Sequence, residues 1–136
     1  METIKEALTF DDVTLAPNYS SYLPSEVKTS IKLSKNLNLK IPILSSAMDT
    51  VTESNMAVAI GKSGGLGVVH RNLTIEDQIF EIKKIKKNKC LVGAAVGASE
   101  NEYERVKKIL KENIDLIVVD TAHGHTKKVG EIIKKI

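Results

Sequence analysis

The sequence predicts an α/β fold in which parallel strands alternate with helices, and it favours a (β/α)8 TIM barrel over an open doubly wound sheet. Three observations carry this. Four apolar runs, opening near Ile41, Leu66, Leu91 and Leu116, each stop abruptly at small or polar residues. The runs recur roughly every 25 residues, so the unit is short and even. The stretches between them carry apolar residues at helical spacing. A complete barrel takes about 250 residues, and this chain has 136. The chain is therefore read as about the first four βα units of a barrel, preceded by an extended segment and a hairpin.

The elements follow in order. Leu8-Thr9-Phe10-Asp11-Asp12-Val13 opens a segment in which Pro17 and Pro24 flank Tyr19 to Leu23, a pattern that keeps the backbone extended. Ser30 to Leu33 and Leu37 to Lys40 alternate around Lys35-Asn36, which predicts a hairpin capping the amino-terminal mouth of the barrel. Residues 1–40 thus form one region and residues 41–136 the half-barrel. The first barrel strand, Ile41 to Leu44, ends in Ser45-Ser46-Ala47-Met48-Asp49. A helix around Met56 to Ile60 stops at Gly64-Gly65. Leu66 to Val69 ends in His70-Arg71-Asn72. Thr74 caps a helix whose stripe is Ile75, Ile79, Ile82 and Ile85. Lys86 to Cys90 then passes to the next strand, Leu91 to Val96, in very few residues. Ser99-Glu100-Asn101-Glu102 has the capping-box pattern before Tyr103, Val106, Ile109 and Leu110. Leu116 to Val119 ends in Asp120-Thr121-Ala122-His123-Gly124-His125, and Val129, Ile132, Ile133 and Ile136 make a fourth stripe. Four strands of eight leave two open sheet edges and an inner face, with Val68 and Val118 on it, turned to water.

Composition bounds the class. Hydrophobic residues make up 42% and charged residues 27%, ordinary for a globular domain. No apolar run approaches the ~18 residues of a membrane span, and Met1 to Glu6 is not a signal peptide. The one cysteine, Cys90, cannot form an intramolecular disulfide, which suits a reducing compartment. The expectation is a soluble intracellular enzyme domain. Much of the net charge of +3 comes from the lysine run Lys83 to Lys89, read as a solvated helix end. Neither nucleic acid nor membrane is expected as a partner.

The richest stretch is Asp120 to His125. A carboxylate at the carboxyl end of a strand can accept both hydroxyls of a ribose, or it can cap the next helix. The imidazole of His123 can stack on a base, or bond the loop backbone. Gly124 is expected to let the loop turn where a side chain would block it. His123, His125 and Asp120 also admit a different reading, as metal ligands on the rim of a zinc hydrolase barrel. A glycine separates the two histidines beyond the strand end, and no further ligand cluster is visible.

Five motifs together resemble one family across nearly the whole chain: Leu8 to Val13, Ser45 to Glu53, Gly64 to Asn72, Val92 to Gly97, and Val118 to His125. The chain resembles the amino-terminal half of the inosine 5′-monophosphate (IMP) dehydrogenases. The guanosine monophosphate (GMP) reductases share that barrel, but Ala47 with Thr52-Glu53 sits better with the dehydrogenases. The resemblance implies an NAD-dependent oxidoreductase of purine and GMP biosynthesis, cytoplasmic and homotetrameric. Its reaction is the oxidation of IMP to xanthosine monophosphate through a covalent cysteine adduct, with potassium organising the cysteine loop.

Residue by residue, the resemblance gives NAD binding to Asp120, Thr121, Ala122 and His123, with Ser20, Leu23 and Pro24 reaching into a neighbouring subunit's adenosine pocket. It gives IMP binding to Ser46, Ala47 and Met48. It places no catalytic residue and no metal ligand in this chain. The nucleophile and the potassium site are expected on sequence that follows Ile136. Cys90 does not match the nucleophile motif. The pair of cystathionine-β-synthase-type modules that the family usually inserts is missing, and its place corresponds to the joint near residues 87–90. An inactive nucleotide-binding half-barrel is the non-enzymatic alternative.

Overall fold

The computed structural model describes residues 5–136, so the first four positions of the amino-terminal region lie outside the described residues. From Lys5 to Ser30 every residue is exposed, including Phe10, Leu15, Tyr19 and Tyr22. The segment is not extended throughout. Pro24–Glu26 forms one turn of 3-10 helix, because the Glu26 carboxylate accepts the Leu23 N–H at 2.8 Å and pulls the chain round.

The hairpin pairs β1 (Ile31–Lys32) with β2 (Asn38–Leu39), Ile31 opposite Leu39. Then come β3 (Leu44–Ser45), α1 (Ser54–Lys62), β4 (Leu66–Val69), α2 (Ile75–Lys87), β5 (Val92–Val96), α3 (Glu102–Leu110), β6 (Leu116–Val119) and α4 (Lys127–Lys135). The four later strands form one parallel sheet in the order β3-β4-β5-β6, each beside its predecessor. The first run is shorter than its apolar length suggests. Pro42 has no N–H for a ladder, and Ile43 turns its N–H to Ile41 O instead.

Strand alternation divides the core into two layers. Val69, Val92, Ala94 and Val96 face the helices and pack with Ala57, Ile82, Ile85, Val106 and Ile109, all fully buried. Ile117 and Val119 join the same layer. Gly67 lies so close to Ala57 that a β-carbon there would collide with the α1 backbone, which seats the helix directly on the sheet. Leu66, Val68 and Ala95 face the other way and pack with Leu37 and Leu39 of the hairpin, with Leu116 and Val118 partly buried beside them. Val68, expected to face water, is only 3% exposed. The hairpin folds back over part of the inner face and covers Leu66 and Val68.

Helix ends follow local chemistry. Thr74 and Thr126 cap α2 and α4 by accepting Asp77 and Val129 N–H groups. The N-terminus of α1 is capped from a distance, since Ser54 donates its N–H to Glu81 of α2 at 2.8 Å. Burial alone would raise the Glu81 pKa, but hydrogen bonds from Lys84 and Ser54 bring it below the ordinary carboxylate value. Gly64, with φ 96°, ends α1 in the left-handed region. The capping box expected at Ser99 to Glu102 does not form. The Glu102 carboxylate reaches back instead to the Gly97 N–H at 2.7 Å, and α3 begins at Glu102 itself. The α4 stripe is half used: Val129 and Ile132 are buried, while Ile133 and Ile136 are exposed. At the joint, Lys89 adopts φ 57° and Cys90 turns inward, its thiol 3.6 Å from Asn88 O and 3.8 Å from Val58 O.

Candidate functional site at the carboxyl ends of the strands

Parallel strands put all their carboxyl ends on one edge of the sheet. Ser46 to Asp49, His70 to Asn72, Gly97 to Ser99 and Asp120 to His125 therefore leave from that same edge, where α/β folds bind ligands.

The first loop is held from behind. Thr52, fully buried, donates its hydroxyl to Ser46 O. Val51 and Thr52 both give N–H groups to Met48 O, at 3.2 and 3.1 Å. Thr50 sits at φ 62°, a left-handed conformation that a β-branched residue adopts rarely. Such strain costs on the order of 1–3 kcal/mol and persists only where the surroundings impose it. Asp49 accepts from Asn72 at 2.6 Å. The outcome is a fixed loop that shows Ser46 and Met48 to solvent, Met48 being 59% exposed, while Ala47 tucks against the inner layer. Ordinary core packing does not account for Met48.

The last loop starts from Asp120, whose N–H is held by Val96 O at 2.8 Å. Its carboxylate is half exposed. Its charged neighbour is Arg71, 3.9 Å away and beyond hydrogen-bond reach. Among the described residues the carboxylate oxygens of Asp120 accept no hydrogen bond, so they are open to a ligand's hydroxyls. Thr121 is half-buried and its hydroxyl has no partner. Ala122 and His123 are exposed. His123 Nδ1 accepts the His125 N–H at 3.2 Å, which fixes the ring on the loop and leaves its faces free. Gly124 does not play the part expected of it. Its φ is not positive, and a β-carbon there would meet nothing within 4 Å.

Ser20, Leu23 and Pro24 share no hydrogen bond with these loops. Ser20 bonds Tyr22 within its own turn, and Leu23 is 64% exposed. Among the described residues no three His, Cys, Asp or Glu groups lie close enough to hold a metal ion. No helix among them is long and apolar enough to cross a membrane.

Sequence reasoning missed the supports beneath the edge. His70 is 2% exposed, with Nε2 3.5 Å from Glu53 and 4.0 Å from Asp49 and with Nδ1 unpartnered. Gln78 is fully buried and donates to Ala95 O, His70 O and Val69 O at 2.9, 3.1 and 3.4 Å. Its carbonyl accepts from Arg105 at 2.9 Å; Arg105 also donates to Leu73 O and lies 3.3 Å from Glu102. A signal existed for Gln78. It stands four residues before Ile82 and seven before Ile85, on the buried stripe of α2.

Comparison with known proteins agrees with the layout. Residues 7–136 match the IMP dehydrogenase / GMP reductase domain. The chain is 41% identical to the inosine-5'-monophosphate dehydrogenase of Borreliella burgdorferi, over 97% of this chain and 45% of that protein. It is 36% identical to the enzyme of that name from Cryptosporidium parvum, over 99% of this chain and 44% of the relative. With the Aquifex aeolicus protein identity is 55%, over 62% of this chain and 17% of the relative. The chain thus spans less than half the length of these relatives. The Borreliella alignment is 182 positions long against 136 residues here, so that relative carries residues with no counterpart in this chain. With a domain match over nearly its whole length, this chain belongs to the IMP dehydrogenase / GMP reductase domain family.

Proposed function

We propose that this chain is the IMP- and NAD-binding half of an IMP dehydrogenase, an NAD-dependent oxidoreductase of guanine nucleotide biosynthesis. The observation that carries the reading is the open carboxylate of Asp120, on the same sheet edge as the exposed thioether of Met48. The carboxylate suits the two hydroxyls of the nicotinamide ribose, each accepted in a charge-assisted bond. The faces of His123 suit stacking on adenine, with Thr121 and Ala122 lining the same pocket. Ser46 offers a hydroxyl to the polar edge or phosphate of IMP. Met48 suits a purine face, since a polarisable thioether packs well there. Ala47 backs that loop. NAD, when bound, supplies the hydride acceptor.

The rest of the reading follows from the resemblance. The sheet continues to an eight-stranded barrel. A cysteine outside these residues forms the covalent adduct at C2 of the hypoxanthine ring, and water resolves it to xanthosine monophosphate. Potassium belongs to that cysteine's loop. Ser20, Leu23 and Pro24, exposed in this chain, complete a neighbour's adenosine pocket in a homotetramer, and the enzyme works in the cytoplasm. Residues 1–40 and 41–136 are the hairpin region and the half-barrel, and the extra residues of longer relatives enter at the 87–90 joint. A GMP reductase is the alternative within the family, but the relatives compared are all named as dehydrogenases.

The test is kinetic. The complete enzyme should form NADH from NAD only when IMP is present, and should not oxidise NADPH with GMP. Asp120→Ala should lose roughly 2–4 kcal/mol of NAD-side binding, seen as a higher KM for NAD with IMP binding retained. An unchanged KM for NAD would remove Asp120 from the site.

A further inference from the structure

We propose that Gln78 is a positioning residue for the loops that carry Arg71 and Asp120, with Arg105 acting through it; this rests on the reading of the strand-end edge as the nucleotide site. A buried amide has two N–H groups and one carbonyl to satisfy. The Gln78 nitrogen meets three carbonyl oxygens, those of Ala95, His70 and Val69, at 2.9, 3.1 and 3.4 Å. All three belong to the carboxyl ends of β4 and β5. His70 O is the carbonyl of the peptide that leads into Arg71. Ala95 precedes Val96, whose own carbonyl holds the Asp120 N–H at 2.8 Å. One side chain therefore ties down the backbone on which both Arg71 and Asp120 depend.

Arg105 extends the clamp. Its fork donates to Gln78 Oε1 at 2.9 Å and to Leu73 O at 3.0 Å, and its Nε lies 3.3 Å from Glu102. Glu102 in turn accepts the Gly97 N–H at 2.7 Å. Hydrogen bonds and the Arg105–Glu102 ion pair together connect the β4–α2 loop with the end of β5, although among the described residues Arg105 Nε makes no hydrogen bond. The Arg105 and Glu102 side chains are only 11% and 17% exposed. Burying an amide, a guanidinium and a carboxylate is costly, and apolar residues could fill the same space. What the polar set adds is a fixed position for the carbonyl groups and N–H groups of two strand ends. Gly97 completes the arrangement, since a β-carbon there would lie 3.1 Å from Glu102 Cγ and 3.5 Å from the Arg71 guanidinium.

The experiment uses the complete enzyme and three variants. Gln78→Met fills a similar volume but gives the carbonyls no donor. Gln78→Glu keeps an oxygen facing Arg105 and removes the amide donors. Arg105→Lys keeps the charge near Glu102 but cannot fork to both Gln78 and Leu73. Two readouts are taken: KM for NAD and for IMP separately, and backbone hydrogen exchange over residues 69–72 and 95–97. The expected result for both Gln78 variants is a KM for NAD raised about tenfold, a KM for IMP little changed, and faster exchange in both segments. Arg105→Lys should shift the same quantities in the same direction and less. The proposal is overturned if the folded variants leave both KM values unchanged, if the two rise together, or if exchange in the two segments stays at the wild-type rate. If the wild-type enzyme makes no NADH from IMP, the nucleotide reading fails on its own, and exchange then decides the clamp alone.

Discussion

The two faces of the sheet are finished to different degrees. On the helix side, Ile82, Ile85, Val92, Val96, Val106 and Ile109 are all fully buried. On the other side, Leu66 and Val68 are buried under the hairpin's Leu37 and Leu39, but Leu116 and Val118 are only partly covered and Leu44 is 40% exposed. The helix layer is made from local strand–helix units, so each unit completes its own share. On the proposed barrel reading, the inner layer would be made by all the strands together, and these four would enclose only part of it. The hairpin supplies the remainder at one end. The difference teaches that local strand–helix units can complete the helix-side layer within this chain, while the opposite layer is closed only where the hairpin reaches it.

Three measurements can break or sharpen that contrast. The largest effect concerns residues 1–136 expressed alone. They should keep helical and strand signals, give no IMP-dependent NADH, and self-associate through the open edges of β3 and β6. Supplying the rest of the enzyme should restore activity. A monodisperse, cooperatively folding monomer, seen by sedimentation, would mean that the inner layer is already sufficient.

The second measurement compares two truncations in the complete enzyme. Ile82→Ala should cost near the top of the usual range, about 4–5 kcal/mol, because its surroundings are fully packed. Leu39→Ala should cost about 2–3 kcal/mol, since the hairpin can settle into the space. Urea unfolding gives both values, and equal costs would erase the distinction.

The smallest effect tests a polar contact within the helix layer. Glu81 has its pKa lowered by Lys84 and Ser54 despite burial, so its stabilisation is present at neutral pH and above the unfolded-state value. It is lost as pH falls through the lowered folded value. Glu81→Gln should therefore cost about 1 kcal/mol at pH 7, and the gap from wild type should close on acidification. Urea midpoints at pH 7 and at low pH would show it; a gap that widens in acid would contradict the sign.

Much of this architecture is legible in the residues. The Ile82 and Ile85 stripe, the Thr74 cap and the turn between Leu33 and Leu37 all rest on local rules, and local rules act without knowledge of the fold. The failures share one cause. The Ser99 to Glu102 pattern is a local signal, but Glu102 found a stronger partner in Gly97, set beside it by the sheet. Val68 reads as a residue facing water only while the hairpin is imagined away from it. The candidate site divides in the same manner. Asp120 and Met48 announce themselves at the ends of apolar runs. For Gln78 the stripe of α2 gives burial but not partners, and for Arg105 neither is legible, because the groups they bond, Ala95 O for Gln78 and Leu73 O for Arg105 among them, meet them only in the folded chain.

The joint between α2 and β5 has a bearing on how such a protein can be remodelled. Lys87, Asn88 and Lys89 are exposed, and the chain turns there through a left-handed Lys89 before Cys90 re-enters the core. This turn lies at the amino edge of the sheet, opposite the edge that carries Met48 and Asp120. Lengthening a surface loop is inexpensive, as each doubling adds only about 0.6 kcal/mol of closure entropy. A whole folded unit can therefore be spliced in or cut out at this turn while Ile85 and Val92, on either side, keep their places. On the proposed reading of the strand-end edge, such an exchange leaves the nucleotide-binding loops at the far edge of the sheet untouched.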